Sequence, residues 1–378
     1  MTRTADVVVI GGGIHGCSTA LHLALRGLKP ILVEKDYAGR HASGVNAGGV
    51  RQLARHVAEI PLSIASMALW ERIEELVGDD CGFASHGTVL VAESEEELAG
   101  FRARVEDLRL KGFTHEELLD RRELKELVPA VSDHCPGGVV SRRDGAADPF
   151  RTTQAFRRRA VEKGAEIIEG VRVSGLARSG SAWRVETSDG PIEAPKVVNA
   201  AGAWADRIAA QLGEPVPLEV IAPMLMVTSR LPEFIAPVVI LRSRKLSFKQ
   251  LGNGTVVIGG GHLAEPHRDE NRTVLDWPKL AISARTVWEL FPVMREATIV
   301  RAWAGIEASM PDEIPVVGLS TTSEGVFHQF GFCGHGFQLG PATGAVMAEL
   351  VATGSTNTPI DGLGIARFVP DRARPARS

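Results

Sequence analysis

The first forty residues alternate between short apolar runs and small polar breaks. Asp6-Val-Val-Val-Ile10 is β-branched with no polar alternation, the pattern of a parallel strand buried on both faces. A glycine-rich turn, Gly11 to Gly16, follows at once. Cys17 to Arg26 then carries apolar residues at helical spacing and stops at Gly27, a good helix end. A second apolar run, Pro30-Ile-Leu-Val33, ends on Glu34. Farther on, Asp148 to Glu169 predicts a charged helix and a short strand. Val171 to Asn199 predicts a three-stranded excursion around Gly-Ser and Asp-Gly turns. Gly87-Thr-Val-Leu-Val-Ala92 and Gly254-Thr-Val-Val-Ile-Gly259 suit a mostly antiparallel sheet. Residues 93–127 show Glu, Arg and Leu at helical spacing and predict a solvated amphipathic helix pair.

The turn itself is G-x-G-x-x-G, with Gly11, Gly13 and Gly16 around Ile14 and His15. Gly11 permits the tight turn, Gly13 lets the backbone approach a pyrophosphate, and Gly16 lets helix and strand pack closely. The helix N-terminus offers free N–H groups and roughly half a positive charge to that anion. Glu34 lies 18 residues after Gly16, beside Lys35, near the spacing expected of an acid on the ribose hydroxyls. An acid there disfavours a 2′-phosphate and hence NADP. Strand, turn, helix, strand and acid in order predict a Rossmann-type dinucleotide site. By themselves they leave NAD and FAD open.

Three further stretches select FAD. Arg40 to Arg51 is small, polar and glycine-rich, and offers His41, Ala42, Ser43, Asn46, Ala47, Gly48 and Gly49 to a phosphate and a planar ring. Lys196 to Trp204 reads as a strand that breaks at Gly202 and enters a helix, presenting Ala200, Ala201, Gly202 and Trp204. Gly331 to Gly340 is a second glycine loop before a helix predicted over Pro341 to Val351. It presents Gly334, His335, Gly336, Phe337 and Gln338 to the negative N1/O2 edge of a flavin.

Together with Trp303-Ala-Gly-Ile-Glu307, which adds Gly305, these stretches resemble the D-amino-acid-oxidase-like FAD oxidoreductases, among them glycine oxidase and sarcosine oxidase. Within that group the chain looks most like sarcosine oxidase β subunits, hydroxyproline dehydrogenase and opine oxidase subunits. The resemblance spans nearly the whole chain. It implies an α/β protein, α+β overall, with a discontinuous Rossmann-type FAD-binding domain over 1–80, 141–213 and 301–378. A second, mostly antiparallel substrate domain would take 81–140 and 214–300 and roof the flavin. It also implies that Val173 touches the adenine end through its backbone. Some relatives attach FAD through a His or Cys; the corresponding positions are Asn46 and Arg301/Ala302, so non-covalent FAD is expected.

Such flavoenzymes need a group to hold a substrate carboxylate, and an arginine fork is the usual one. Arg51, at the end of the flavin loop, is the leading candidate. Arg242, Arg244, Lys249 and Arg301 are weaker ones. Two departures from the family pattern matter. Glycine-oxidase-like members carry an arginine where this chain has Glu307, and monomeric sarcosine oxidases a lysine where it has Gln338. A glutamate at that position favours a cationic or secondary amine, or else serves as a more distant acid. His335 is the candidate proton acceptor, with His41 and His56 behind it. The main reading is therefore oxidation of an amino acid or secondary amine to an imine. Two alternatives stand beside it: a flavin 2-hydroxy-acid dehydrogenase, and a flavin subunit that needs a partner chain or external electron acceptor.

Composition narrows the setting. Net charge is −4 with both signs interspersed, which gives nucleic acid no basic footprint. No apolar run approaches the ~20 residues of a membrane span, and the chain enters a strand with no room for an apolar leader, so a cytoplasmic location is expected. Cys17, Cys81, Cys135 and Cys333 are scattered, with no metal-ligand spacing. The tail from Asp371 to Ser378 reads as disordered.

Overall fold

A computed structural model describes residues 2–368; the tail expectation lies outside them. The predicted βαβ unit forms as strand Val7–Ile10, helix Ile14–Leu25 and strand Pro30–Val33. These strands sit inside a six-stranded sheet in the order Val316–Leu319, Val326–Phe330, Lys196–Asn199, Val7–Ile10, Pro30–Val33, Glu166–Ile168. Every neighbouring pair is parallel except the first. Covered on both faces, the central strands can be wholly apolar, and Val7, Val8, Val9 and Val197 are fully buried.

The three-stranded excursion is present as Val173–Ser179, Ala182–Thr187 and Ile192–Ala194, joined by an unforeseen edge strand, Arg3–Thr4. A separate eight-stranded sheet runs Ile299–Ala304, Met224–Thr228, Val256–Gly259, Leu246–Gln250, Val238–Leu241, Thr88–Ala92, Gly137–Ser141, Glu117–Asp120. One pair in it is parallel, Val238–Leu241 with Thr88–Ala92; the rest are antiparallel.

The C-terminal helix differs from its expected start. It runs Gly336–Thr353, with Pro341 inside it rather than at its first turn. Proline prefers the first helical position because its missing N–H costs nothing there, but close helix packing overrides that preference. A Cβ on Gly340 would stand 2.8 Å from Ile14 Cδ1, and one on Gly344 would stand 2.1 Å from Ser18 Oγ. The helix is drawn against Ile14–Leu25, and its N-terminus is thereby carried to the glycine loop. Among the described residues, no helix is long and apolar enough to cross a membrane.

Candidate active site

A cavity of ≈ 1110 Å³ lies between the two large sheets, at the top of the roughly 300–1,000 Å³ range of ligand pockets. Two helix N-termini open on it, and neither N-cap residue caps its helix with its own side chain: Gly13 begins Ile14–Leu25, and His335 begins Gly336–Thr353. The remaining first-turn N–H groups and the positive ends of two helix dipoles suit two separate negative regions of one ligand. This is the cradle FAD requires, a diphosphate at one end and an electron-rich ring edge at the other.

The fingerprint glycines divide by what surrounds them. Gly11 has φ +110°, and a Cβ there would lie 2.4 Å from Ala200 O; one on Gly16 would lie 1.9 Å from Gly11 O. Gly16 therefore serves packing and does not line the cavity. A Cβ on Gly13 would meet only Ser43 Oγ, at 2.9 Å, on the cavity side. Ser43 Oγ accepts the Ile14 N–H at 2.9 Å and fixes the flavin loop against the helix. Glu34 Oε2 accepts the Gly12 N–H at 2.6 Å, and Oε1 accepts the Asp36 N–H at 2.9 Å. Burial raises its pKa against those two bonds.

Lys35, His41 and Trp204 form one cluster at this rim. Lys35 Nζ sits 4.0 Å from the Trp204 ring centroid and donates to Asn271 Oδ1 at 2.7 Å. His41 lies 4.7 Å from Trp204 and is held near pKa 4, chiefly by burial and by Lys35, so it is neutral near pH 7. His15 stacks on Phe332 at 3.6 Å and is pushed by burial to about 3. Asn46 is fully engaged: it donates to Ala42 O and Ser43 O, and accepts the Gly48 N–H at 2.7 Å. Trp303 Nε1 donates to Val45 O at 2.8 Å, pinning the flavin loop to the edge of the large sheet. Ala42, Ala47, Gly49, Val173, Ala200, Ala201, Gly202, Gly305, Gly334, Gly336 and Phe337 also line the cavity.

Several expected residues do not. Gln338 is fully buried behind it, bonded to Ser63 O at 2.9 Å and to Ser63 Oγ at 3.0 Å, because it faces the helix Ile60–Trp70. Gly48 is turned against Ala147 O. Lys249 is also outside the lining; its ammonium lies beside Gly48, and burial lowers it to about 8. Arg244 is spent on Glu93 and Glu289, and Arg301 is exposed at 5.9 Å from the Trp303 ring. Arg242 does line the cavity, as does His56, whose Nδ1 accepts the Ala58 N–H.

Arg51 lines the cavity and donates to Leu53 O. Around it stands a buried charge cluster that sequence reading missed. Arg55, 2 % exposed, donates from Nη2 to Arg51 O at 2.6 Å, while its Nε and Nη1 have no hydrogen-bond partner among the described residues. Burial and then Arg51 lower it to about 9. Glu59 is fully buried 3.5 Å from His335 Nδ1, and His335 is lowered to about 4 by burial and Arg55. Arg104, from the helix Glu95–Leu110 expected to be solvated, grips Glu116 at 2.8 and 2.7 Å and donates to Arg55 O. Asp144, raised by burial to about 6, accepts the N–H groups of Gln52 and Leu53. The second arginine, four residues after Arg51, was the one available signal.

Glu307 enters from strand Glu307–Ser309 and accepts the Gly334 N–H. Burial raises it to about 7. Among the described residues no group of three or more His, Cys, Asp or Glu could hold a metal.

Comparison with known proteins agrees with this cradle. Over 385 residues the chain is 29% identical to mitochondrial sarcosine dehydrogenase of Mus musculus, covering 97% of this chain but only 42% of that protein, so it spans about two fifths of that relative. It is 28% identical over 374 residues to sarcosine oxidase subunit beta of Rhizobium meliloti, covering 96% of this chain and 88% of the other. The crystal structure of L-proline dehydrogenase from P. horikoshii superposes with a TM-score of 0.91 at 29% identity, over 99% of this chain and 100% of that one. Residues 6–350 match the family described as FAD dependent oxidoreductase. With the glycine loops, the two helix N-termini and that match in hand, the chain belongs to the FAD dependent oxidoreductase family, an enzyme family whose cofactor is FAD.

Proposed function

We propose that the chain oxidises the C–N bond of an amino acid or secondary amine, such as an N-alkyl glycine, a proline derivative or an opine, to the imine. The names of the relatives, a sarcosine dehydrogenase, a sarcosine oxidase subunit and a proline dehydrogenase, support that substrate class. The observation that carries it is that Arg51, Arg55 and Glu307 line one cavity, with Arg55 and Glu307 bonded to adjacent residues of one loop, His335 and Gly334. FAD, when bound, supplies the acceptor for the hydrogen and electron pair leaving the carbon next to nitrogen. Gly11, Gly13, Glu34, the Ala42–Gly49 loop, Val173, Ala200–Trp204 and Gly334–Phe337 would hold it. Arg51 would anchor the substrate carboxylate, with the free Nε and Nη1 of Arg55 behind it. We propose too that the segments 1–80, 141–213 and 301–378 bind FAD while 81–140 and 214–300 close over substrate.

The test is anaerobic loss of the visible flavin band against a panel of amines and 2-hydroxy acids. Amines should bleach the flavin; bleaching by hydroxy acids alone overturns the reading. In the same assay Arg51→Ala should weaken amine binding by roughly 10- to 150-fold, the worth of a charge-assisted fork, and Arg51→Lys by less, with FAD retained. Loss of FAD in Arg51→Ala would make it a cofactor contact instead. Flavin that stays reduced when air is admitted supports a separate electron acceptor, as the word subunit in one relative's name does.

A further inference from the structure

Glu307 lines the cavity and is tied by one of its oxygens to a glycine loop. Its Oε1 accepts the Gly334 N–H, in the loop that also carries His335. Among the described residues nothing hydrogen-bonds to its Oε2, and Glu307 lines the cavity. The strand holding it pairs with Glu219–Ile221, and Ile221 lies directly opposite Glu307, so the carboxyl is delivered from a hydrogen-bonded sheet and not from a mobile loop. The same loop links it to the basic cluster: Arg55 Nη2 reaches His335 O at 3.4 Å, one residue beyond Gly334. The Glu307 carboxylate and the Arg55 guanidinium thus grip adjacent residues of one loop, and both residues line one cavity with Arg51. A zwitterion has that pattern of charge.

Resting on the amine reading above, we propose that Glu307 binds the substrate's ammonium group and takes its proton, so that the chain selects substrates carrying a protonatable nitrogen beside a carboxylate. The N–H bond breaks, its proton joins a Glu307 oxygen, and the electron pair stays on nitrogen as a lone pair. The amine is then neutral, the state from which hydrogen can leave the adjacent carbon. Among the described residues no ion pair holds the carboxyl in advance. Glu219 on the paired strand, the Cys333 thiol, Asp312, Glu313, His335, Arg51 and Arg55 are among the titratable or charged groups that line the same cavity. Only burial and the Gly334 N–H act on its pKa. A value of about 7 lies closer to an ammonium than an ordinary carboxyl does, which favours proton transfer between them.

Glu307→Gln separates this role from loop anchoring, because a carboxamide oxygen still accepts the Gly334 N–H but carries no charge. The probes are 2-aminoisobutyrate, which has no hydrogen on the carbon next to nitrogen, and pivalate, which replaces its ammonium by methyl. Calorimetric titration of the FAD-loaded protein at pH 8 should show 2-aminoisobutyrate bound roughly ten- to hundredfold more tightly than pivalate. Glu307 is a carboxylate above about pH 7, so that preference should shrink as pH falls to 6. In Glu307→Gln the preference should vanish and the pH step with it, while FAD stays bound. At saturating oxidisable amine the variant should also reduce its flavin roughly a hundredfold more slowly. A variant that keeps the wild-type preference, or a wild type that shows none at pH 8, overturns the proposal; an unchanged reduction rate overturns its proton-acceptor half. If no amine bleaches the wild-type flavin, the amine reading fails instead.

Discussion

At Gly13 and Gly16 the same residue type does two jobs, and the surroundings tell them apart. A Cβ on Gly16 would penetrate Gly11 O, a backbone atom that cannot yield without moving the turn. A Cβ on Gly13 would meet only the tip of Ser43, a side chain that can rotate away. Gly13→Val should therefore fold, with an apo-protein melting temperature near that of the wild-type apo-protein, yet bind no FAD. Gly16→Val should lose stability as well, by more than the 1–3 kcal/mol typical of overpacking. Melting curves with flavin occupancy check both; a Gly13→Val protein with full FAD would show that the diphosphate does not pass there. Arg55, Glu59 and His335 make a related point. Arg55 and Glu59 are buried and His335 is partly so, and each has buried atoms with no hydrogen-bond partner among the described residues, a pattern that calls for an explanation such as a ligand that completes them.

Among the elements, the strand Val326–Phe330 is held at its His328 by a buried contact to Glu214. His328 Nε2 lies 3.0 Å from Glu214 Oε2, and both side chains are fully buried. Glu214 also accepts Ser320 Oγ at 2.6 Å and the Thr321 N–H at 2.6 Å. Burial would raise this carboxyl, but His328, Ser320 and Thr321 together pull it down from 4.5 to about 2. A depressed carboxyl contributes stability that is present above its unfolded pKa and lost as pH falls through the folded one. Glu214→Ala should thus destabilise by about 3 kcal/mol at pH 7, and its deficit should narrow between about pH 4.5 and pH 2. Denaturant midpoints of both proteins at pH 7 and pH 3 measure this. An equal gap at the two pH values would mean that Glu214 acts by shape and not by charge.

For the molecule as a whole, the flavin loop is fastened from several directions. Asn46 is consumed by three hydrogen bonds within the loop, and Ala302 has nothing to offer. Acid precipitation should therefore release FAD into the supernatant as a yellow solution. Colour left in the pellet would reveal a covalent link and overturn the role given to Asn46. The loop is also where the parts of the chain meet. Trp303 holds Val45, Asn271 holds Lys35 and Asp36, and Lys249 stands beside Gly48.

Local signals were enough for the βαβ unit, the three-stranded excursion and the glycine loops, because each depends on spacing within some thirty residues. Valine runs bury themselves in a parallel sheet, and glycines permit turns that no other residue allows. The start of the C-terminal helix was not legible in this way, since packing of Gly340 and Gly344 against Ile14 and Ser18 outweighs the local preference of Pro341. Nor was Arg104, whose helix reads as solvated until Glu116 and Arg55 are brought to it. Lys249 and Gln338 could be assigned to the flavin region by sequence, but which side of the loop or helix they occupy is decided by contacts with Gly48 and Ser63. Sequence alone determined that this chain binds a dinucleotide, because that site is built from consecutive backbone. Only tertiary structure decided which charges meet in the cavity, because Arg51, Arg55, Glu307 and His335 lie on segments far apart in the chain, and their burial and pairing exist only once the two sheets close.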